Sequence, residues 1–188
     1  MAEPILEPLL RWLRFNSAKK YFLNRDLIFD FGCGPTPEFY KYLKQHKIYF
    51  RKYVGFDPLL AAGKTGKKFE LLKNKKDIRG KFDLITMFAV LEHLPYPNFD
   101  FSFLSKISQP GTILIITTPA PGIGEYILEF LSFKLHWVSE REISEHAHYF
   151  PRREIISLFA KYGFKKIEDR SFECGLNNLV VFEKKQIQ

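Results

Sequence analysis

Leu27-Ile28-Phe29-Asp30-Phe31-Gly32-Cys33-Gly34-Pro35 is the stretch that decides the fold of this chain. The apolar run reads as a buried strand, and the two glycines that follow ask for a tight turn at its end. A second run, Tyr53-Val54-Gly55-Phe56-Asp57, ends in an acid 23 residues past Gly34. Strand, glycine turn, helix, strand, acid is the order in which an α/β protein holds an adenosine-type ligand at the carboxyl ends of its strands.

Working outward, residues 5–23 alternate apolar and basic groups and suit one or two amphipathic helices covering a sheet face. The first strand is Leu27–Phe31. A helix begins at Pro37, with Thr36 as its N-cap, and runs through Phe39, Tyr42 and Leu43. The second strand is Lys52–Phe56; a loop rich in glycine and lysine (61–68) leads to a third at 68–72. Phe82–Phe88 is the fourth strand, and a helix follows at 99–107. Pro110-Gly111 makes a turn, and the β-branched run 112–118 is the fifth strand. An aromatic-rich insertion occupies 120–150. A helix starts at Pro151 and is closed by Gly163. Phe164–Phe172 and 179–183 form an antiparallel hairpin at a sheet edge. The alternation predicts an α/β, Rossmann-like three-layer sandwich. Its sheet is mostly parallel and seven-stranded, with the antiparallel hairpin at the C-terminal edge. No repeat or linker divides the chain, so 1–188 reads as one domain, with 1–26 a helical cover and 120–150 a lid over a substrate.

Composition narrows the class. With 188 residues, 46% hydrophobic and 16% aromatic, the chain can bury a sizeable core and is not disordered. The 20 phenylalanines serve that core, or in part an apolar pocket. The net charge of +8 concentrates in Lys64, Lys67, Lys68, Lys73, Lys75, Lys76, Lys184 and Lys185. Such clusters attract a polyanion or form a solvated face; no aromatics interleave them for base stacking. Two cysteines, Cys33 and Cys174, make neither a disulfide framework nor a zinc cluster, and Cys33 is a small packing residue in the glycine turn. The first residues carry acids where a signal peptide carries bases, and no apolar run reaches a membrane span, so the expected location is cytoplasmic.

The ligand is unlike a dinucleotide. That fingerprint needs a third glycine where Pro37 stands, and proline removes an N–H a phosphate would use. Gly63-Lys64-Thr65 matches the end of a phosphate-binding loop, but the earlier glycine is replaced by Pro58. An adenosine cofactor without phosphate remains.

The order of motifs resembles class I S-adenosylmethionine-dependent methyltransferases of the small-metabolite type, over about residues 25–185. The resemblance is carried by Asp30-Phe31-Gly32-Cys33-Gly34, by Val54-Gly55-Phe56-Asp57, by Phe82-Asp83-Leu84-Ile85 leading to Val90-Leu91-Glu92-His93-Leu94, and by Pro110-Gly111-Thr112-Ile113-Leu114. Glu145-His146-Ala147-His148-Tyr149-Phe150 and the Gly163-Phe164 pair complete it. It implies S-adenosyl-L-methionine as cofactor, bound by Asp30, Gly32, Cys33, Gly34, Asp57, Phe88 and Ala89. The glycines would let backbone pass close to the methionine part, Asp30 would orient the loop or meet the amino group through a water, and Asp57 would take the ribose hydroxyls. Two departures stand out. Thr36 and Pro37 replace a flexible turn, and the acid that often meets adenine after the third strand has only Asn74 or Asp77 to represent it.

Methyl transfer from a sulfonium mainly needs a positioned, desolvated acceptor, with a base where the acceptor is a hydroxyl. His93 and His148 are the candidate catalytic residues, with His146 beside them; each could instead be structural. Glu92 reads as a local hydrogen-bond partner. Tyr126, Phe130, Phe133, Trp137, Tyr149, Arg141 and Arg152 would shape a lid for an acceptor with a ring or lipid portion and an anionic group. The expected partner is therefore a small-molecule acceptor methylated at oxygen, without a metal. The alternatives are methylation of RNA at ribose or a terminal group, and a non-catalytic cofactor-binding subunit.

Overall fold

The computed structural model describes residues 6–121 and 148–186. Among them lie eight strands: β1 (Leu27–Phe31), β2 (Lys52–Phe56), β3 (Lys64–Gly66), β4 (Phe69–Leu72), β5 (Phe82–Phe88), β6 (Ser108–Pro119), β7 (Phe164–Phe172) and β8 (Asn177–Lys184). They form one sheet in the order β3-β4-β2-β1-β5-β6-β8-β7. Strands β4, β2, β1, β5 and β6 run parallel; β3, β8 and β7 pair antiparallel. The expected mixed α/β sheet and its C-terminal hairpin are present, with one strand more than the seven read from the sequence.

The sheet separates two apolar cores because successive side chains along a strand point to opposite faces. Ile28 faces a core with Phe15, Phe22, Phe39, Tyr42 and Leu43, from helices α1 (Glu7–Ala18) and α2 (Glu38–Gln45) and the turn between α1 and β1. Phe29 and Phe31 face the other, with Leu104, Ile155, Leu158 and Phe159 from α3 (Ser102–Lys106) and α4 (Arg152–Ala160). Most phenylalanines fill these two layers.

Departures from the sequence reading have local causes. The 61–68 loop contains β3, which pairs with β4 and covers an edge that would otherwise expose unpaired backbone; its lysine suits that edge. Helix α2 is N-capped by Pro37, not Thr36, with no side-chain hydrogen bond at the cap. Helix α3 is shorter than 99–107 because Asp100 accepts the Ser102 N–H (2.8 Å) and hydroxyl (2.8 Å), which keeps its own stretch non-helical. The Pro110-Gly111 turn lies inside β6 as an irregularity: Phe82 pairs with Ser108, but Leu84 pairs with Ile113. Gly111 there has φ +83°. Helix α4 closes as expected, with Gly163 at φ +78° donating its N–H to Ala160 O.

Two features of this frame position the site. The chain leaves β1 toward β2 and β4 on one side, then returns through β5 to β6 on the other. The crevice beyond the carboxyl ends of β1 and β5 is therefore the switch point where α/β sheets bind ligands. Helix α1 and the 3₁₀ turn after it, Lys19–Tyr21, are tethered to the far edge of the sheet: Arg170 donates to Ser17 O (2.7 Å), Tyr21 OH donates to Glu168 (2.5 Å), and Lys20 pairs with Glu168 (2.6 Å).

Candidate active site

The loop after β1 is pinned to β2. Gly32 and Cys33 both donate their N–H to Phe56 O, at 2.7 and 3.1 Å. Gly34 N–H donates to Asp57 Oδ2 (2.9 Å), and Leu59 N–H donates to Asp57 Oδ1 (2.8 Å). Asp57 thus clamps two loops while each of its oxygens keeps a lone pair. Gly32 and Gly34 both lie at positive φ, +77° and +71°. Their surroundings differ. A Cβ on Gly32 would fall 2.3 Å from Val90 Cγ2, whereas one on Gly34 would meet only Thr36 O, at 4.0 Å. Gly32 makes room for the chain's own next loop; Gly34 faces open space. Cys33 fits beneath, where a Cβ on Gly55 would come 2.8 Å from its Sγ. Burial, with Asp30 and Asp57 adding to it, pushes the Cys33 thiol far up, which makes it an inert packing group.

Asp30 is buried in the floor. Tyr53 OH donates to Oδ2 (2.6 Å) and Thr86 Oγ1 to Oδ1 (2.7 Å). Burial raises its pKa to about 6 against those two hydrogen bonds, and the Asp57 charge adds to the rise. The carboxyl therefore acts through the strands it ties together.

The loop after β5 supplies the other wall. Ala89, at φ +53°, donates its N–H to Thr117 O (3.0 Å) and Oγ1 (3.2 Å), which ties the loop to β6. Phe88 packs at about 5 Å from the rings of Phe15 (5.1 Å) and Phe39 (5.0 Å). A 3₁₀ turn, Leu91–His93, follows and presents His93 and Glu92. Glu92 is wholly buried, and neither of its oxygens closes a hydrogen bond of good geometry. Burial raises its pKa; its own backbone, His93, Arg14 and Thr118 pull the other way.

These groups enclose a cavity of about 1090 Å³ at the strand ends. Every residue expected to bind the cofactor lines it: Asp30, Gly32, Cys33, Gly34, Asp57, Phe88 and Ala89; so does His93. His148 does not. Its Nε2 lies 3.1 Å from Glu154, and its ring stacks on Tyr96 (5.2 Å) and meets Phe150 edge-on (4.4 Å), holding the start of α4. Tyr149 and Arg152 are also absent from the lining. His146, Tyr126, Phe130, Phe133, Trp137 and Arg141, and most of the 120–150 insertion, lie outside the described residues. Neither Asn74 nor Asp77 reaches the cavity; the two face each other, 3.3 Å apart. Lys75 does reach it, its Nζ 3.9 Å from the Phe103 ring centre and 4.6 Å from that of Phe99.

Helix α1 is the wall that the sequence reading treated only as a sheet cover. Glu7, Leu10, Arg11, Arg14 and Phe15 all face the cavity. Their spacing of three and four was the available signal, since such residues share one helix face. The site suits a nucleoside better than a phosphate. Helix α2 opens with Pro37, which lacks an N–H, and Glu38, whose charge opposes an anion. The volume is at the upper end of what ligand sites offer, enough for a nucleoside with a small molecule beside it. Among the described residues, no three His, Cys, Asp or Glu converge to hold a metal ion, and no helix is long and apolar enough to cross a membrane.

A family model described as "Methyltransferase domain" matches residues 3–169. No curated protein matches in sequence. Among solved structures, the Haloferax volcanii methyltransferase in complex with the Trm112 methyltransferase activator superposes with a TM-score of 0.69 at 11% identity, over 96% of this chain and 93% of that one. Magnesium protoporphyrin IX methyltransferase from Synechocystis PCC 6803, solved with bound SAH, gives 0.58 at 16% identity, over 96% and 82%. The methyltransferase domain of bacterial CtHen1 gives 0.59 at 18% identity, over 93% and 99%.

Proposed function

We propose, from the premise that this chain belongs to the methyltransferase-domain family, that it transfers a methyl group from S-adenosylmethionine to a small-molecule acceptor at oxygen. One observation carries this reading: the glycine loop is locked to Asp57 at the end of β2, with Gly34 opening into a cavity that has no phosphate-holding helix start.

The cofactor's role is to bring a methyl group already activated on a sulfonium. The chain's own residues then bind, orient and desolvate. The remaining Asp57 lone pairs take the two ribose hydroxyls. Gly34 lets backbone approach the methionine part, and Gly32, by admitting Val90, seals the loop behind it. Asp30 holds β1 to β2 and β5 beneath the reacting centre. Phe88 and Ala89 border the nucleoside, and Phe88 helps exclude water. His93 is on the turn after β5 and lines the cavity; in this reading it takes the proton from an acceptor hydroxyl. His148 is engaged with Glu154 and Tyr96 and has no part in this scheme.

A second reading has an observation of its own. The exposed lysines of the β3–β4 hairpin and Lys75 at the cavity wall would suit an anionic polymer such as RNA. Methyl-labelled cofactor offered with a panel of phenols and alcohols, and separately with RNA, distinguishes the two. Label in hydroxyl compounds supports the leading reading; label in RNA alone, with steep salt dependence, replaces it.

A further inference from the structure

Two residues that line the cavity, Glu92 and Arg14, bury polar atoms without hydrogen-bond partners: Glu92 Oε1 and Oε2 and Arg14 Nε. Thr118 Oγ1 and Glu173 Oε1, outside the lining, are unpartnered as well. Asn177, which donates to Glu173 Oε2, lines the cavity too. The Arg14 charge acts on both Glu92 and Glu173, so these groups are neighbours, yet Arg14 and Glu92 form no ion pair. Thr118 is near enough to weigh on Glu92 without closing a hydrogen bond.

Folded proteins rarely leave a buried carboxylate with both oxygens unsatisfied, because its desolvation is then uncompensated. Glu92 is 0% exposed and lines the cavity, so a group bound there is the partner it could take. The ribose does not reach it. Asp57 follows β2 and Glu92 follows β5, two strand positions away across β1, roughly 10 Å at the usual spacing. That leaves the β5–β6–β8 end of the cavity for a second ligand.

The unmet groups define that ligand's chemistry. A carboxylate oxygen needs a donor, and the Arg14 Nε–H needs an acceptor. An ammonium only donates, and a carboxylate only accepts. A hydroxyl does both. We propose that Glu92 is an acceptor-binding residue that receives a hydrogen bond from a hydroxyl of the methyl acceptor, with Arg14 Nε–H donating to the same oxygen or to a neighbouring one. The inference rests on the methyltransferase reading and narrows it to a neutral, hydroxyl-bearing acceptor in place of the anionic one. An anion at this end meets the Glu92 charge.

The test uses the full chain saturated with S-adenosylhomocysteine, with benzyl alcohol, toluene and benzoate as probes, titrated by ligand-observed NMR. The wild type should bind benzyl alcohol more tightly than toluene or benzoate. Glu92→Met, nearly isosteric, should weaken the alcohol about tenfold or more, since a hydrogen bond to a charged group is lost; Glu92→Gln should restore part of it. Arg14→Met should weaken it as well. A structural role would show differently. Both Glu92 variants should melt at or above the wild-type temperature, because they remove a buried, unpaired charge. The proposal is overturned if benzyl alcohol fails to bind, if benzoate binds better, if Glu92→Met leaves the alcohol unaffected, or if the variants melt well below the wild type. Failure of S-adenosylhomocysteine to bind the wild type defeats the methyltransferase reading instead. A bound nucleoside with an unchanged alcohol affinity defeats only this inference.

Discussion

Replacing Gly32 with alanine should unfold the site from within, and the reason can be worked out atom by atom. The residue sits at φ +77°, a conformation that costs an L-residue roughly 1–2 kcal/mol. Its new Cβ would lie 2.3 Å from Val90 Cγ2 and 2.9 Å from Cγ1, far inside contact distance. Forcing extra volume into a packed position adds typically 1–3 kcal/mol. The sum, about 2–5 kcal/mol, corresponds to a melting-temperature drop of roughly 4–20 °C for a chain of this size. Gly34→Ala is the control. It carries the same backbone strain, but its Cβ meets nothing nearer than Thr36 O at 4.0 Å. It should be the milder substitution for stability and the harsher one for nucleoside affinity. Val90→Ala removes both γ-carbons, so the double variant Gly32→Ala/Val90→Ala should relieve most of the clash, leaving the backbone strain and a tight 3.2 Å approach to the Val90 Cβ. Urea unfolding of the two single variants and the double gives the coupling directly, expected at about 1–3 kcal/mol in the favourable direction. Additive effects within experimental error, or equal losses for Gly32→Ala and Gly34→Ala, would refute the claim that Val90 is what demands the first glycine.

Further outcomes follow from the same geometry. Asp30 is lifted from 3.8 to about 6, so the native state holds its proton more tightly than the unfolded chain does. Its contribution is complete below pH 4 and is lost as pH rises through 6, on the order of 3 kcal/mol; urea melts across that window should show the fall, and Asp30→Asn should flatten it. Glu168 behaves oppositely. Its partial burial is outweighed by hydrogen bonds from Lys20, Tyr21 and Arg170, which hold it at about 2. The tether of α1 to β7 is therefore present above about pH 4.5 and fails as pH falls through 2; Glu168→Gln should expose α1 to protease at neutral pH. His93→Ala should lower kcat about a hundredfold or more on a hydroxyl acceptor while S-adenosylhomocysteine affinity holds, with His148→Ala affecting stability instead.

What the sequence disclosed depended on whether a signal was local. Strands β1, β2 and β5 are apolar runs bounded by turn residues, and they were legible to the residue. Strand β3 was not, because Lys64-Thr65-Gly66 has no apolar period of its own and exists as a partner for the β4 edge. The glycines and Asp57 were legible because turn geometry is written in adjacent residues. The bond from Asp57 to Gly34, by contrast, is a loop-to-loop contact that only the fold creates. Glu92 and Arg14 were invisible as site residues for a similar reason. An unsatisfied carboxylate is a property of its surroundings, and those come from α1, β6 and β8. His148 had a legible alternative in Glu154, six residues on, and that local pairing is the one the structure uses.

What Asp57 binds decides the function of the site. Crystals of the full chain grown with S-adenosylhomocysteine should place the nucleoside beside Gly34, with both ribose hydroxyls hydrogen-bonded to the Asp57 carboxylate and its bonds from Gly34 and Leu59 retained. A nucleoside seated elsewhere, or an Asp57 that still touches only those two backbone groups, would contradict the methyltransferase reading.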